Sequence, residues 1–278
     1  FYDQEASQRR FGLYRYTYRT QIDWSALQSE RLLHEGIYDS FMELTYYHRL
    51  IPRLVRLGRA RYITRHLTTE LTGRNATHTM HVTPYFTVGH RNLSFELSAF
   101  TNENYRYLEH MMTFAPLYRL FADRKTWLIG ERPYKAQDNG YHFFRFMREQ
   151  HAEHPAYYVI DPNSPEYDKV AILGNTLPFR SKEHIYHSFM ASKFVGTHHA
   201  DYLYPLRSPR FKRKMKADRI FIQHGVLGAK NMENQYGKFA LSFDTDLFLV
   251  SSERERRLVM QDMGYRQDEI RITGLSRF

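Results

Sequence analysis

The fold prediction starts from Arg219-Ile220-Phe221-Ile222-Gln223-His224-Gly225-Val226, near the end of the sequence. A short apolar run there is followed at once by a polar residue, a histidine and a glycine. Such a run is typical of a strand buried on both faces, as in a parallel sheet. Ligands of open parallel sheets bind outside the carboxyl ends of the strands, so we expect His224 at that edge. Gly225 is expected to let the backbone turn sharply and approach a ligand closely.

From residue 126 onward the chain alternates short apolar runs with helical patterns, which predicts an α/β fold with a parallel sheet. Asp138 and Ser252 are expected to cap helices that end near residues 150 and 263, and a third helix is expected over residues 182–194. Gly264 is the expected stop of the helix that Ser252 begins. The predicted strands are 127–130, 156–160, 170–173, 195–197, 220–222, 246–250 and 270–274.

Polar residues follow three of these strands, and we expect them to meet at one edge of the sheet. They are Thr197-His198-His199, Gln223-His224-Gly225 and Ser251-Ser252. Helix N-termini that follow such strands favour phosphate, and histidine accepts a proton near neutral pH. A basic segment between two of the strands is expected to add an anion-binding rim, made of Arg207, Arg210, Lys212, Arg213 and Lys214. The pattern predicts a site for a phosphorylated or polyanionic ligand; the alternative is a structural or solvated histidine.

Residues 1–122 have a different character and are predicted to form a smaller α+β accessory domain, with the boundary at Asp123-Arg124-Lys125. Apolar spacing predicts helices over Ser25–Ile37 and Phe41–Leu57. Runs at residues 79–88 and 93–100, joined by turn residues, predict a β-hairpin. Pro84 should place the first of these strands at an edge or a bulge.

The segment Tyr105–Phe121 is strongly apolar and is predicted to be a helix with Pro116 inside it. Two interpretations stay open for its apolar surface. The helix lies on a membrane surface, or it packs between two domains.

Composition limits the classes of function. The chain has 278 residues, 42% of them hydrophobic and 16% aromatic, with no cysteine and a net charge of +10. Thiolate metal sites and cysteine nucleophiles are thereby excluded, and adjacent His198 and His199 without an accompanying carboxylate cluster do not predict a metal site. Positive charge favours an anionic partner such as a polymer or an anionic lipid. Residues 1–124 contain no lysine, so lysine-rich nucleic-acid arms are missing there and we expect no nucleic-acid partner.

We find no run of eighteen apolar residues and no secretory signal, and expect a cytoplasmic protein, with contact at the inner face of the cell membrane as an option.

A family resemblance rests on the order and spacing of five motifs. They are Asp138-Asn139-Gly140, Tyr157-Tyr158-Val159-Ile160, Gln223-His224-Gly225-Val226 with Lys230 after it, Val250-Ser251-Ser252 and Ile272-Thr273-Gly274-Leu275-Ser276-Arg277. Over residues 126–278 the chain resembles the CDP-glycerol glycerophosphotransferases, which include teichoic acid and capsule polymerases. The family's His-Gly-Thr-Pro-x-Lys-Lys is replaced here by His224-Gly225-Val226-Leu227-Gly228-Ala229-Lys230, and its Gly-x-Pro-Arg by Gly274-Leu275-Ser276-Arg277.

The resemblance implies a Rossmann-like N-terminal lobe of a GT-B fold over residues 123–278, with the C-terminal lobe absent. It implies transfer of glycerol phosphate from CDP-glycerol to a hydroxyl of an anionic polymer or lipid-linked acceptor, with release of CMP and no cofactor. His224 would be the base, and the missing lobe would hold most of the donor, so this chain is expected to be inactive alone. The expected substrate-binding residues are Asp138, Asn139, His198, Gly225, Lys230, Ser251, Ser252 and Arg277.

Two other functions stay open. One is a GT-B glycosyltransferase or sugar-phosphate polymerase with another nucleotide donor. The other is a non-catalytic module that binds a polyanion or a membrane. The first differs from the main hypothesis in the nucleotide that it releases, and the second predicts that removal of His224 leaves function intact.

Overall fold

The centre of this computed structural model is a seven-stranded sheet in which all neighbouring strands are parallel. The structure describes residues 2–10, 13–20, 34–44, 53–56, 70–87, 92–123, 125–228, 231–240 and 243–278. In chain order the strands of this sheet are β9 (Trp127–Gly130), β10 (Ala156–Ile160), β11 (Thr176–Pro178), β12 (Lys193–Gly196), β13 (Asp218–Phe221), β14 (Leu247–Val250) and β15 (Ile270–Ile272). Their order across the sheet is β11-β10-β9-β12-β13-β14-β15. The predicted α/β class with a parallel sheet is confirmed.

Apolar side chains cover both faces of this sheet, which explains why the strands are nearly continuous apolar runs. Leu128 and Phe194 belong to a core on one face, and their neighbours Ile129 and Val195 belong to a core on the other. The helices of this part are α2 (Asn139–Gln150), α3 (Tyr167–Ala171), α4 (Lys182–Met190), α5 (Pro209–Lys212), α6 (Glu233–Tyr236) and α7 (Glu253–Met263).

The strands that precede this sheet are antiparallel. In chain order they are β1 (Tyr2–Arg10), β2 (Leu13–Thr20), β3 (Gly36–Asp39), β4 (Phe41–Leu44), β5 (Arg53–Arg56), β6 (Leu71–Arg74), β7 (His78–Phe86) and β8 (Leu93–Thr101). They pair as β1-β2, as β4-β5 and as a four-stranded sheet in the order β3-β8-β7-β6. The predicted hairpin is confirmed as β7-β8. Pro84 pairs with Phe95 of β8, whereas β6 pairs with β7 only as far as Val82. Among the residues that the structure describes, Pro84 therefore has no strand partner on its other side.

Helix α1 (Asn102–Tyr118) joins the two parts, with Pro116 inside it as predicted. Leu108, Met111 and Ala115 are buried in the same core as Ile185 and Phe189 of α4. The apolar face of α1 is therefore covered by the parallel-sheet part of the molecule. Its last turn and the residues after it stay exposed, with Leu120 75% and Phe121 86% accessible.

Several predicted elements are wrong. Phe41–Leu44 and Arg53–Arg56 are paired strands rather than parts of one helix, and Gly36–Asp39 is a strand at the end of the other predicted helix. Residues 25–33, 45–52 and 57 of these two predictions lie outside the described part. Residues 170–173 belong to helix α3 and its end, because Val170 packs into a core from one face while left-handed Gly174 turns the chain toward β11. The helix predicted over residues 182–194 ends at Met190, because Phe194 is a buried residue of β12.

Candidate active site at the carboxyl edge of the parallel sheet

Two histidines meet just beyond the carboxyl ends of neighbouring strands. Gly196 of β12 pairs with Phe221 of β13, so the residues that follow both strands emerge side by side. The rings of His198 and His224 stack almost parallel, with 4.7 Å between centroids and 5° between planes. Tyr236 of α6 lies edge-on to His224 at 6.1 Å. The structure thus brings together two of the sequence-predicted residues.

A hydrogen bond determines which nitrogen of His224 is available. Its Nδ1 lies 3.1 Å from the backbone carbonyl of Thr197. A carbonyl only accepts, so Nδ1 carries the hydrogen and the neutral ring keeps its lone pair on Nε2. His224 therefore has the tautomer that a general base requires.

His198 stays neutral beside it. Burial lowers the pKa of His198 to about 4, and the charges of His224 and Arg132 act in the same direction. Its Nδ1 lies 2.9 Å from the hydroxyl oxygen of Thr197. Thr197 is fully buried and so fixes both rings, one through its carbonyl and one through its side chain.

The sharp turn that presents His224 falls at Gln223 and not at Gly225. Gln223 has a φ of 58°, a left-handed conformation that is uncommon for a residue with a side chain. Its buried side chain compensates by donating from Nε2 to the carbonyl of Leu249 at 2.6 Å. Gly225 is outside the left-handed region, and a Cβ added there would meet no atom within 4 Å.

The loop after His224 is held by the buried carboxylate of Glu255. One oxygen accepts from the N–H of Leu227 at 2.7 Å and the other from the N–H of Ser251 at 2.6 Å. Ser252 caps α7 by accepting from the N–H of Glu255. Ser251 and Ser252 thus lie near the loop that follows His224. The negative charge at the start of α7 is that of the Glu255 carboxylate.

A cavity of about 190 Å³ lies beside His224. Its walls include Leu227, Met232 and Tyr236 together with Gln223. Sites that enclose drug-sized ligands have volumes of roughly 300–1,000 Å³. The cavity therefore suits a small group such as a hydroxyl-bearing chain end better than a whole nucleotide.

Asp138, Asn139 and Arg277 form a link between segments. The fully buried Asn139 amide donates to the carbonyls of Ile222 and Gln223, and its Oδ1 accepts from the N–H of Arg277. The Arg277 guanidinium lies 3.1 Å from Asp138. These side chains brace the turn before His224, and none of them lines the cavity; their direct role in substrate binding stays a prediction.

The predicted basic rim is divided in the structure. Arg207 lies near the site but pairs with Glu96 at 3.4 Å. Lys212 is 3.7 Å from Asp201 and 3.8 Å from Asp244. Exposed Arg210 lies on α5, and its backbone N–H donates to Glu70. The exposed residues Arg213 and Lys214 precede the amino end of β13, at the opposite edge of the sheet from His224. Lys230 lies outside the described residues.

Arg132 is a residue at this edge that the sequence analysis missed. It follows β9, the other neighbour of β12, and its guanidinium lies 5.8 Å from the centre of the Tyr202 ring. Tyr202 in turn lies 5.9 Å from His198. The one available signal was an arginine two residues beyond a predicted strand.

The fold and these residues define a class: an α/β protein with an oriented histidine at the carboxyl edge of a parallel sheet, where ligands of such sheets bind. Comparisons with known proteins give two sequence matches. Residues 1–97 match the family described as TarS beta-glycosyltransferase C-terminal domain 1. Over 169 residues the chain is 28% identical to the minor teichoic acid biosynthesis protein GgaB of Bacillus subtilis strain 168, covering 58% of this chain. The chain is thus similar to proteins of teichoic acid biosynthesis.

The chain spans only part of its relatives, 18% of the length of GgaB. Solved structures of the wall teichoic acid polymerase TagF are also similar. One variant has a TM-score of 0.42 and 13% identity, covering 64% of this chain and 49% of that one. Another TagF structure has a TM-score of 0.40 and 13% identity, covering 64% and 48%.

Proposed function

We propose that the protein is a transferase of teichoic-acid-like polymer synthesis that moves glycerol phosphate from CDP-glycerol to a hydroxyl of the growing polymer. The observation that carries this proposal is the hydrogen bond from Nδ1 of His224 to the Thr197 carbonyl, which leaves Nε2 to accept a proton beside a cavity for a small group. Similarity to GgaB supports the polymer class. The donor follows from the family resemblance of the motifs around His224.

In the proposed reaction His224 takes the proton of the acceptor hydroxyl as its oxygen attacks the phosphorus of the glycerol phosphate group. A new P–O bond forms, the P–O bond to CMP breaks, and CMP leaves with the electron pair. General-base assistance of this kind contributes about 10²–10⁴-fold to the rate. Stacked His198 holds the ring plane while adding no charge of its own at neutral pH.

We further propose the division into an accessory domain at residues 1–122 and a Rossmann-like lobe at residues 123–278. All seven parallel strands lie between Trp127 and Ile272, which supports the second part as one unit. In this proposal the lobe is the acceptor side of a GT-B fold, and a second lobe binds most of the CDP-glycerol.

A second candidate is transfer from another nucleotide donor, as in a glycosyltransferase or sugar-phosphate polymerase. The match of residues 1–97 to a domain named for a beta-glycosyltransferase favours keeping it. Both enzymes would use the same base, so His224 does not separate them. A non-catalytic module that binds polyanions or membranes is the third candidate.

The test is a transfer assay on the full-length protein with CDP-glycerol and a polyglycerol phosphate acceptor. Release of CMP with growth of the acceptor is the expected result. Turnover of a nucleotide sugar instead, with no CMP from CDP-glycerol, favours the second candidate. No turnover of either donor, with retained binding of the polymer, favours the third.

Within the described residues, no helix is long and apolar enough to cross a membrane. We propose contact with the membrane surface through the exposed end of α1. Leu117, Leu120 and Phe121 are exposed there. The Arg119 guanidinium in the same segment donates to the carbonyl of Lys214, which brings the exposed cations of residues 213–216 beside this apolar end. Apolar and basic groups side by side suit an anionic bilayer surface.

A further inference from the structure

We propose that Arg132 binds a phosphate group of the acceptor beside the hydroxyl that His224 deprotonates. This inference rests on the proposed transfer function and adds a binding residue to it. It assigns the guanidinium of Arg132 a direct contact with substrate.

The position of Arg132 follows from the sheet order. Strands β9, β12 and β13 are consecutive neighbours, and Arg132, His198 and His224 follow their respective carboxyl ends. The Tyr202 ring is the common neighbour of Arg132, at 5.8 Å, and of His198, at 5.9 Å. The charge of Arg132 also contributes to the low pKa of His198, after burial and the charge of His224. Arg132 thus lies close enough to His198 for its charge to act on that ring.

Arg132 has no carboxylate partner within the described part of the chain. The adjacent Glu131 is turned away, since its carboxylate accepts from the N–H groups of Gln137, Asp138 and Tyr141. The Nη1 of Arg132 donates to the hydroxyl of Tyr134 at 3.1 Å, which leaves the other guanidinium donors unassigned. A guanidinium with free donors is suited to bidentate contact with phosphate.

Two other arginines near this edge, Arg207 and Arg277, are already paired. Arg207 lies over the same Tyr202 ring at 4.6 Å but has Glu96 as a partner. Arg277 is paired with Asp138. Binding of phosphate at either would require an ion pair to break, and at Arg132 it does not.

We assign this phosphate to the acceptor because of the groups that lie near Arg132. The nearby base takes its proton from the acceptor hydroxyl, and the cavity beside it is small. In a polymer joined by phosphodiesters, the chain end that presents a hydroxyl carries a phosphate close by. An arginine at this position would hold that phosphate and so orient the hydroxyl toward Nε2 of His224.

A binding experiment tests the contact without any turnover. Side-chain NMR of labelled histidines would follow His198 and His224 as inorganic phosphate or glycerol 1-phosphate is added to the full chain. Wild type should show saturable shifts of both rings. Arg132→Gln should weaken binding about tenfold or more, and Arg132→Lys should recover only part of it. The matched control Arg145→Gln, on α2, removes an exposed arginine that faces Glu149 and should bind as wild type does.

Unchanged shifts in Arg132→Gln, or no shift in wild type, would overturn the proposal. The same NMR series gives a folding check, because loss of the Arg132 charge should raise the pKa of His198. An Arg132→Gln protein that retains stacked ring signals and shows this rise is folded and informative.

An activity arm separates acceptor phosphate from donor phosphate. Arg132→Gln should raise KM for a phosphate-bearing acceptor about tenfold and leave KM for the donor and for a neutral glycerol-ended acceptor unchanged. A rise confined to the donor contradicts the assignment. Failure of the proposed function would give a different result. Wild type would then show no transfer from CDP-glycerol, while phosphate would still bind in a way that depends on Arg132. That outcome would reject the transfer reaction and keep the phosphate site.

Discussion

At the residue scale, Thr197 explains how two adjacent histidines have different chemistry. Its carbonyl accepts from Nδ1 of His224, whereas its hydroxyl meets Nδ1 of His198. The first contact fixes a tautomer, because a carbonyl cannot donate. The second fixes only ring orientation, because a hydroxyl serves in either role. His224 is therefore the better base of the two, since burial also lowers the pKa of His198 to about 4.

Glu255 provides the first prediction. Its carboxylate accepts from two backbone N–H groups, and Glu255→Gln would place an amide NH₂ opposite one of them. Loss of one buried hydrogen bond typically costs about 1–3 kcal/mol, so we expect the free energy of unfolding to fall by that order. Chemical denaturation measures it, and amide exchange at residues 225–228 should accelerate.

The control is Glu253→Gln on the same helix. Glu253 is paired with Arg256 and Arg257 at the surface, where solvent screening leaves such pairs a small contribution to stability. We expect little change in its stability or in loop exchange. Equal effects of the two substitutions would show that Glu255 does not hold the loop.

Residue-level contacts of this kind were only half predictable from sequence. The pattern Ser252–Glu255 predicted a helix start, and the Ser252 cap is present. The capping pattern expects Glu255 to return to the N–H of Ser252. In the structure the Glu255 carboxylate instead accepts from the N–H groups of Ser251 and Leu227. Leu227 lies 28 residues away in the sequence, so the local pattern does not predict that the loop packs against this helix start.

At the element scale, buried parallel strands were the most predictable feature. Trp127–Gly130 and Ala156–Ile160 have the predicted bounds, since both faces of these strands are apolar. The helix prediction for Phe41–Leu57 was wrong because the apolar spacing there fits a helix and a pair of short strands about equally. Each of the strands Phe41–Leu44 and Arg53–Arg56 forms by pairing with the other, and the apolar periodicity of one segment does not show its partner.

The exposed end of α1 gives the second prediction. Leu120→Ser combined with Phe121→Ser removes two large exposed apolar side chains without touching the buried face of the helix. Binding to vesicles that contain anionic lipid should weaken about tenfold or more, because each such side chain contributes about 1.5–3 kcal/mol when buried. Cosedimentation with the vesicles measures it.

Ile172→Ser is the matched control, since Ile172 is 85% exposed and lies on the short helix-end segment before β11. Its vesicle binding should equal that of wild type. Undiminished binding by the double variant would assign membrane contact to another surface or to none.

At the scale of the whole molecule, buried histidines should make the protein acid-sensitive. His184 is fully buried; its Nδ1 accepts from the N–H of Arg180 and its Nε2–H donates to the carbonyl of Leu203. Burial lowers its pKa from 6.5 to about 4. The unfolded chain therefore binds a proton that the folded one does not, so stability is full above pH 6.5 and falls as the pH drops toward 4.

His184→Gln should flatten this dependence between pH 6.5 and 4 by up to one proton, or about 1.4 kcal/mol per pH unit. Urea denaturation at a series of pH values measures the slope. The exposed His151→Gln should leave the slope unchanged. An unaltered slope in His184→Gln would mean that His184 takes up its proton at the same pH in the folded and the unfolded chain.

Contacts between residues that are far apart in the sequence limited how much of the candidate site could be predicted. Parallel-strand geometry predicted that His198 and His224 approach each other, and sequence could not give their stacking or tautomer. Asn139 was recognised as part of a motif, but its bonds to residues 83 and 84 positions away are invisible in the local pattern. Arg132 was missed because a lone arginine after a strand resembles any solvated surface residue.

In the proposed function His224 is the base of a transfer reaction. The most direct test compares wild type, His224→Ala and the exposed-residue control His151→Ala in full-length protein, with CDP-glycerol as donor and CMP release as the signal. Circular dichroism checks the fold of each. We predict that His224→Ala alone loses about 100-fold or more of the rate while keeping its fold. Wild-type rates in a folded His224→Ala protein would contradict the account and leave His224 a structural residue.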